Sequence, residues 1–579
     1  MPPFRPFAQR VHASAARLRP IPLSEPIVRR PRLAAAVVVL AVAGALLAFQ
    51  PLRSPWWAGY DFDSVYVGSG LTLFRGERSV FYDHPGAPLQ EALAATFTAG
   101  WAASSPGTSR AARADEWLTN LDRTRPYLRV WGSLIYLLSA LIVFLTVAWV
   151  MRSAGWGLLG GLLFLASPDV ITWATVVKPD PLLAALAVAT VGLIVEGFRR
   201  RSGALYLAAA VTLGYALSVK VHAIGLAVPL GLAVLLRPPP AGWWTEFRDD
   251  ARAWVRAHRR LVAVAGGAWL VLVLVLNATA APPGLRPLAQ LVAGLGALGV
   301  GSAVVWLAAR RTRATALVAT AIGCAWAVLA GMIVPNLLYA SIPAPMVRQV
   351  AITLTGGGVN VGAHPAANPW DVLQPWRWLL LVALIGLVKS LLDGDRTTLL
   401  WASGAVSMGF LAYLRYGEIH YYTAAIALTV PLVLYGVQVV GRRPGLLALL
   451  IVVAVLFVPY KAEIHQAQGR GHEAASTERV NRWVEARLRP GEVALTRLES
   501  GDGRYFHLVH FYAPQGPDLA YRFLPPDLEA AQWTLQRDAR VRYVVTGTVE
   551  DVDELLSSIG LSGHGQRVAK APGFVYEVR

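Results

Sequence analysis

Apolar runs of about 17 or more residues recur along this chain, and a run of that length crosses a bilayer as a helix. They fall at 33–50, 129–150, 155–173, 181–197, 203–219, 221–236, 261–279, 286–308, 314–334, 376–392, 398–414, 421–439 and 444–460. The expected fold is therefore an all-α polytopic membrane protein with about 13 spanning helices. Composition closes the soluble alternative. Hydrophobic residues make up 55% and charged residues 15% of the chain, against roughly 25% charge in a soluble domain. Strands of a membrane β-barrel are about 10 residues long and alternate in polarity, a pattern not seen here.

The net charge is +18. Its distribution points to membrane orientation, because Lys and Arg crowd into alternate connections between spans. Residues 1–32 are a basic leader expected in the cytoplasm, followed by an uncleaved anchor helix. With that start, the cytoplasmic connections hold Arg152, Arg199-Arg200-Arg201, the basic stretch 237–260, Arg310, Arg311, Arg313 and Arg442-Arg443. The turn with Asp393, Asp395 and Arg396 is the neutral exception. Membrane lipids are the expected surroundings and nucleic acid is not an expected partner. The one cysteine, Cys324, lies in an apolar run and allows no intramolecular disulfide.

The same alternation puts three long segments on the extracytoplasmic side of a plasma (inner) membrane: 51–128, 335–375 and the tail 461–579. The tail has globular composition. An amphipathic helix over 474–489 and strands at Val493–Thr496, Tyr505–Phe511, Val541–Thr546 and Gly573–Val578 predict a small α/β domain. The membrane module is then 33–460.

The unusual polar residues cluster on that outer side. Gly59-Tyr60-Asp61-Phe62-Asp63-Ser64-Val65-Tyr66 carries two carboxylates just after the first span. They suit a general base and an orienting acid, or a divalent cation; as loop acids or a helix cap they would be merely structural. His84 sits in the turn His84-Pro85-Gly86-Ala87-Pro88-Leu89 and suits phosphate binding or proton transfer. Lys178-Pro179-Asp180 opens a span, and Ser218-Val219-Lys220-Val221-His222 separates two spans that almost touch. Each either snorkels to water or meets an anionic headgroup. Arg348 precedes the run Gly356-Gly357-Gly358, which suits a mobile loop. His420 and Tyr421 follow Arg415 and Glu418 into a later span, where Tyr is ordinarily an interfacial anchor.

The order of these motifs resembles the GT-C superfamily of polytopic glycosyltransferases, in particular the branch of protein O-mannosyltransferases and the lipid A aminoarabinose transferase. Asp61-Phe62-Asp63 is similar to that family's acidic motif of the first outer loop, and His84-Pro85-Gly86-Ala87-Pro88-Leu89 to its His-Pro-Pro-Leu turn. Lys178-Pro179-Asp180-Pro181-Leu182-Leu183, Ser218-Val219-Lys220-Val221-His222-Ala223 and His420-Tyr421-Tyr422 are similar to its later motifs. The departures are Asp-x-Asp for Asp-Glu and two extra residues in the His-Pro turn. The likeness covers about residues 33 to 460.

The resemblance implies an inverting transfer of a sugar from a polyprenyl-phosphate donor to a glycan, lipid or protein hydroxyl on the outer side. It implies Asp61 or Asp63 as catalytic base. Substrate contacts would come from His84, Lys178, Asp180, Lys220, His222, Arg348, His420 and Tyr421. No cofactor is required by this reading, no metal ligand set is assigned, and a divalent cation at Asp-x-Asp stays open. The alternatives are a lipid or polysaccharide transporter or flippase without covalent chemistry, and a non-catalytic scaffold of an envelope assembly.

Overall fold

The structure is a computed structural model. It describes residues 35–45, 63–77, 86–104, 107–119, 121–167, 177–240, 313–333, 377–415 and 422–440. It also describes isolated positions from 243 to 263 and, in the tail, parts of 479–496 together with 521–523, 541–546, 565–568 and 574–578.

Among the described residues, α1 is Ala35–Ala45, followed by α2 Asp63–Arg75, α3 Ala87–Ser104, α4 Arg110–Thr119, α5 Arg125–Val150 and α6 Ala154–Leu165. Next come α7 Pro179–Arg200, α8 Gly203–Val219, α9 Ala227–Leu236, α10 Arg313–Ile333, α11 Arg377–Leu392, α12 Thr397–Arg415 and α13 Thr423–Val440. Two helices, Val130–Val150 and Pro179–Arg200, are long and apolar enough to cross a membrane, and shorter apolar helices accompany them. The expected spans at 261–279, 286–308 and 444–460 lie outside the described residues.

Two expectations need correction. The helix expected at 155–173 ends at Leu165, with Ala166 as its C-cap; the sequence there reads Ala166-Ser167-Pro168-Asp169, and a proline disfavours the helical conformation of the residue before it. The helix expected at 221–236 is two pieces, a 3-10 turn over Val221–Leu226 and then α9. It is parted from α8 by the single extended residue Lys220 (φ −161°, ψ 132°).

The bundle packs around α7, whose apolar stretch is 89% buried. Helix α5 lies at the edge. It buries Tyr136, Ala140, Val143, Phe144 and Val147 and exposes Val130, Leu134, Leu138 and Leu145. A stripe of leucine and valine at helical spacing on an outer face suits lipid and not water. Helix α11 shows the same, with Leu381, Leu384, Ile385, Val388 and Leu392 exposed. The chain is an integral membrane protein. Without a hydrophobic drive between helices in lipid, close approach by small residues holds them together. Gly214 and Gly331 let α8 and α10 touch backbone to backbone: a Cβ on either would sit 2.0 Å from a carbonyl oxygen of the other helix.

Side-chain links fix which helix ends lie together. Lys220 after α8 reaches Asp180 at the start of α7. Arg152 after α5 reaches Glu196 near the end of α7. Arg199 reaches Thr397 at the start of α12 and Tyr435 late in α13. The described residues thus divide between a lysine end and an arginine end. The basic connections expected on one side of the membrane (Arg152, Arg199–Arg201, Arg237) share the arginine end.

The first long segment contains helices: α2, α3 and α4 close around Phe74, Phe97, Trp117 and Tyr127, with ring centroids 5.3 to 5.8 Å apart for four of the contacts. Arg75 pairs with Asp115 across this cluster.

In the tail, strands β1 Val493–Thr496, β2 Tyr521–Phe523, β3 Val541–Thr546, β4 Gly565–Arg567 and β5 Phe574–Val578 form one sheet of order β2-β1-β3-β5-β4. β1 runs parallel to β2 and β3, and β5 antiparallel to β3 and β4. The expected strands at 493–496, 541–546 and 573–578 coincide with β1, β3 and β5. The strand expected at 505–511 lies outside the described residues, and β2 and β4 had no strand assigned.

Candidate active site at the lysine end

Helix α7 begins as its sequence requires. Lys178 is its extended N-cap (φ −125°, ψ 141°), and proline occupies the first turn, where no intrahelical N–H bond is lost. Asp180 lies in that turn, where the helix dipole favours an anion. Lys178 and Asp180 are buried.

Helix α8 brings the countercharge. It ends at Lys220, whose N–H donates to Ala216 O at 2.8 Å, and whose carbonyl accepts from Ala223 N at 3.0 Å to start the 3-10 turn. The break turns the Lys220 side chain onto α7, and Nζ donates to Asp180 Oδ1 at 2.7 Å. The two side chains are 13% and 2% exposed. A pair this buried holds together because removing either partner strands the other charge, at about 3–5 kcal/mol. The second oxygen, Asp180 Oδ2, is buried with no hydrogen-bond partner in the structure. His222, two residues past Lys220, is buried as well.

The first long segment is fastened to this place. Gly86 N donates to Ser218 O at 3.1 Å, and Ser218 Oγ donates to Tyr215 O at 2.7 Å. Gly86 has φ +141°, and a Cβ there would lie 2.2 Å from the Tyr66 ring. Only glycine satisfies both constraints. Tyr66 is one helical turn along α2 from Asp63, the residue that opens that helix. The turn after His84 and the start of α2 are therefore anchored to the segment that carries Lys220.

Four expected site residues, Lys178, Asp180, Lys220 and His222, thus gather at one end of the bundle, and Asp63 opens the helix packed there. Asp61, His84, Arg348, His420 and Tyr421 lie outside the described residues. Among the described residues no three His, Cys, Asp or Glu side chains group as a metal site.

One residue was missed. Glu91, one turn into α3, faces inward with Ala87 and Ala94. Its Oε1 is buried without a hydrogen-bond partner, and burial raises its carboxyl well above the usual range. It lies close enough to Tyr215 of α8 for their charges to interact. The spacing Ala87, Glu91, Ala94 is the signal that could have revealed it.

Chemically, the described residues place Lys178, Lys220 and the Asp180 carboxylate here, and burial raises the Glu91 carboxyl above its usual range. Ammoniums in a dry setting complement a phosphate far more strongly than in water. Near the same end of the bundle, an apolar crevice between α6, α11 and α13 is lined by Leu163, Phe164, Leu379, Ile426 and Val430.

Residues 91–282 match the family model described as dolichyl-phosphate-mannose-protein mannosyltransferase. That match supports the GT-C resemblance. It spans α3 to α9 and so contains Lys178, Asp180, Lys220 and His222, though it covers less than half of the chain. Two solved structures of ArnT from Cupriavidus metallidurans are also similar. The apo state has a TM-score of 0.35 at 14% identity, covering 94% of this chain and 98% of that one. The undecaprenyl phosphate complex has a TM-score of 0.32 at 16% identity, covering 94% and 97%. Scores of this size give no correspondence of residues. No curated protein gives a significant match.

Proposed function

We propose that this chain is an inverting glycosyltransferase that moves a sugar from a polyprenyl-phosphate donor to an acceptor hydroxyl on the extracytoplasmic side of the membrane. The observation that carries this reading is the buried Lys220–Asp180 pair beside Lys178, fastened through Gly86 and Ser218 to the acidic start of α2. The family-model match across the same residues supports it.

In this mechanism Asp61 or Asp63 takes the proton of the acceptor hydroxyl as its oxygen attacks the anomeric carbon. The bond from that carbon to the phosphate oxygen breaks, and the lipid phosphate leaves with the electron pair. Lys178 and Lys220 stabilise the charge that develops there, and Asp180 holds Lys220 in place. A positioned base contributes about 10²–10⁴-fold.

A second reading is a transporter of the same lipid-linked sugar without covalent chemistry. The broken helix at Lys220 and the buried ion pair favour it, since transporters bind substrate at interrupted helices.

The test uses the full-length chain in vesicles with polyprenyl-phosphate donors carrying labelled hexose or pentose. Asp61→Asn and Asp63→Asn are assayed separately for label on acceptor. At least one is expected to lose on the order of 10²-fold or more. Full transfer in both overturns the base assignment; donor movement across the bilayer with no product in the wild type favours the transporter.

A further inference from the structure

The arginine end contains two kinds of arginine. Arg152, Arg199 and Arg200 all bond to the buried Glu196. Among the described residues, Arg201 and Arg237 have no carboxylate partner. Arg201 caps α7 in the left-handed conformation (φ 54°, ψ 39°), a position usually given to glycine or asparagine. Arg237 caps α9, and its guanidinium stacks 5.4 Å from the Phe198 ring, one turn before Arg201. Its position is fixed by Tyr206 Oη, which donates to Arg237 O at 3.1 Å. Arg237 Nε is buried with no hydrogen-bond partner. Burial, and then the Arg201 charge, lower the Arg237 guanidinium from its usual range, so the two cations feel each other.

Two guanidiniums close enough to interact, neither paired with a carboxylate among the described residues and one with a buried donor unused, are set up for an anion with several acceptor oxygens. The neighbouring surface says where that anion comes from. Leu235 and Leu236, directly before Arg237, are 67% and 46% exposed. The guanidiniums therefore stand where an apolar, lipid-facing surface ends, the level of headgroup phosphates.

We propose that Arg201 and Arg237 bind the phosphate of an anionic phospholipid at the arginine end of the bundle. Orientation alone would need only positive charge near the membrane; it would not need a stacked, unpaired donor.

The test is native mass spectrometry of the full-length chain in detergent, titrated with phosphatidylglycerol, phosphatidylcholine or inorganic phosphate. The wild type is expected to prefer phosphatidylglycerol to phosphatidylcholine. Arg201→Gln/Arg237→Gln weakens phosphatidylglycerol on the order of tenfold and leaves phosphatidylcholine unchanged. Lys389→Gln removes an exposed charge already paired with Asp393 and is expected to change neither. Should the double variant not fold, Arg201→Gln alone is expected to weaken phosphatidylglycerol severalfold. Equal affinity in wild type and variant overturns the site, as does an equal loss in Lys389→Gln. Inorganic phosphate that competes phosphatidylglycerol off overturns the lipid assignment.

Discussion

Helix α7 carries a buried carboxylate near each end, and the two are treated differently. Glu196 is fully buried, and both its oxygens are taken: Oε1 by Arg199 at 3.0 Å, Oε2 by Arg152 at 2.5 Å and by Arg200 at 3.1 Å. Asp180 has one partner, Lys220, and one oxygen left over. An over-satisfied carboxylate ties helices together. Through Arg199 it reaches Val150 O, Tyr435 and Thr397, and so joins α5, α7, α12 and α13. A half-satisfied carboxylate in a dry place retains bonding capacity and costs stability, which is consistent with the proposed site. Under the proposed function, the difference is between a clasp and a reaction centre on one helix.

The sharpest way to break this comparison removes both charges at the lysine end. Asp180→Asn/Lys220→Gln leaves no buried ion unpaired, so its folded yield should approach that of the wild type. Transfer from a labelled polyprenyl donor should fall on the order of 10²–10³-fold. Retained transfer would make the pair a second clasp.

The converse change is Glu196→Gln. It leaves three arginines facing one another, and thermal unfolding in detergent should show a loss of about 3–5 kcal/mol. Transfer per folded molecule should stay within a few-fold of wild type. A stable variant, or an inactive folded one, would erase the contrast.

The third effect is smaller and concerns pH. Burial raises the Glu91 carboxyl above its ordinary value of 4.5, so the folded state holds that proton more tightly than the unfolded chain. Stability from this group is complete below 4.5 and falls as pH rises from there through the raised folded value. Glu91→Gln should remove that fall, matching wild type at low pH and exceeding it at high pH. Parallel stability–pH curves for the two proteins would refute the assignment.

Much of the bundle was legible because lipid imposes a simple rule: an apolar run must become a helix. The helix stop at Leu165 was legible in Ser167-Pro168-Asp169 but was overridden by the apolar residues on either side of it. Helices α2 to α4 escaped because their apolar stretches are short: α2 is interrupted by Gly68, Ser69 and Gly70, and α3 and α4 are rich in alanine. Lys178, Asp180, Lys220 and His222 stood out because ionisable residues at the ends of apolar runs are costly and few. Their pairing did not, since Lys220 and Asp180 are forty residues apart in the chain and meet only once α7 and α8 pack. Glu91 stayed hidden for a related reason: beside Gln90 it looks solvated, and only the packing of α3 buries it.

The most direct test of the central claim sets two cations of α7 and its neighbour side by side: Lys220→Gln and Arg200→Gln, full length, in the same vesicles. The quantity measured is labelled sugar transferred from a polyprenyl-phosphate donor per folded molecule. The account predicts a loss on the order of 10²-fold for Lys220→Gln and near-wild-type transfer for Arg200→Gln. Equal transfer in the two, or a loss confined to Arg200→Gln, would contradict it.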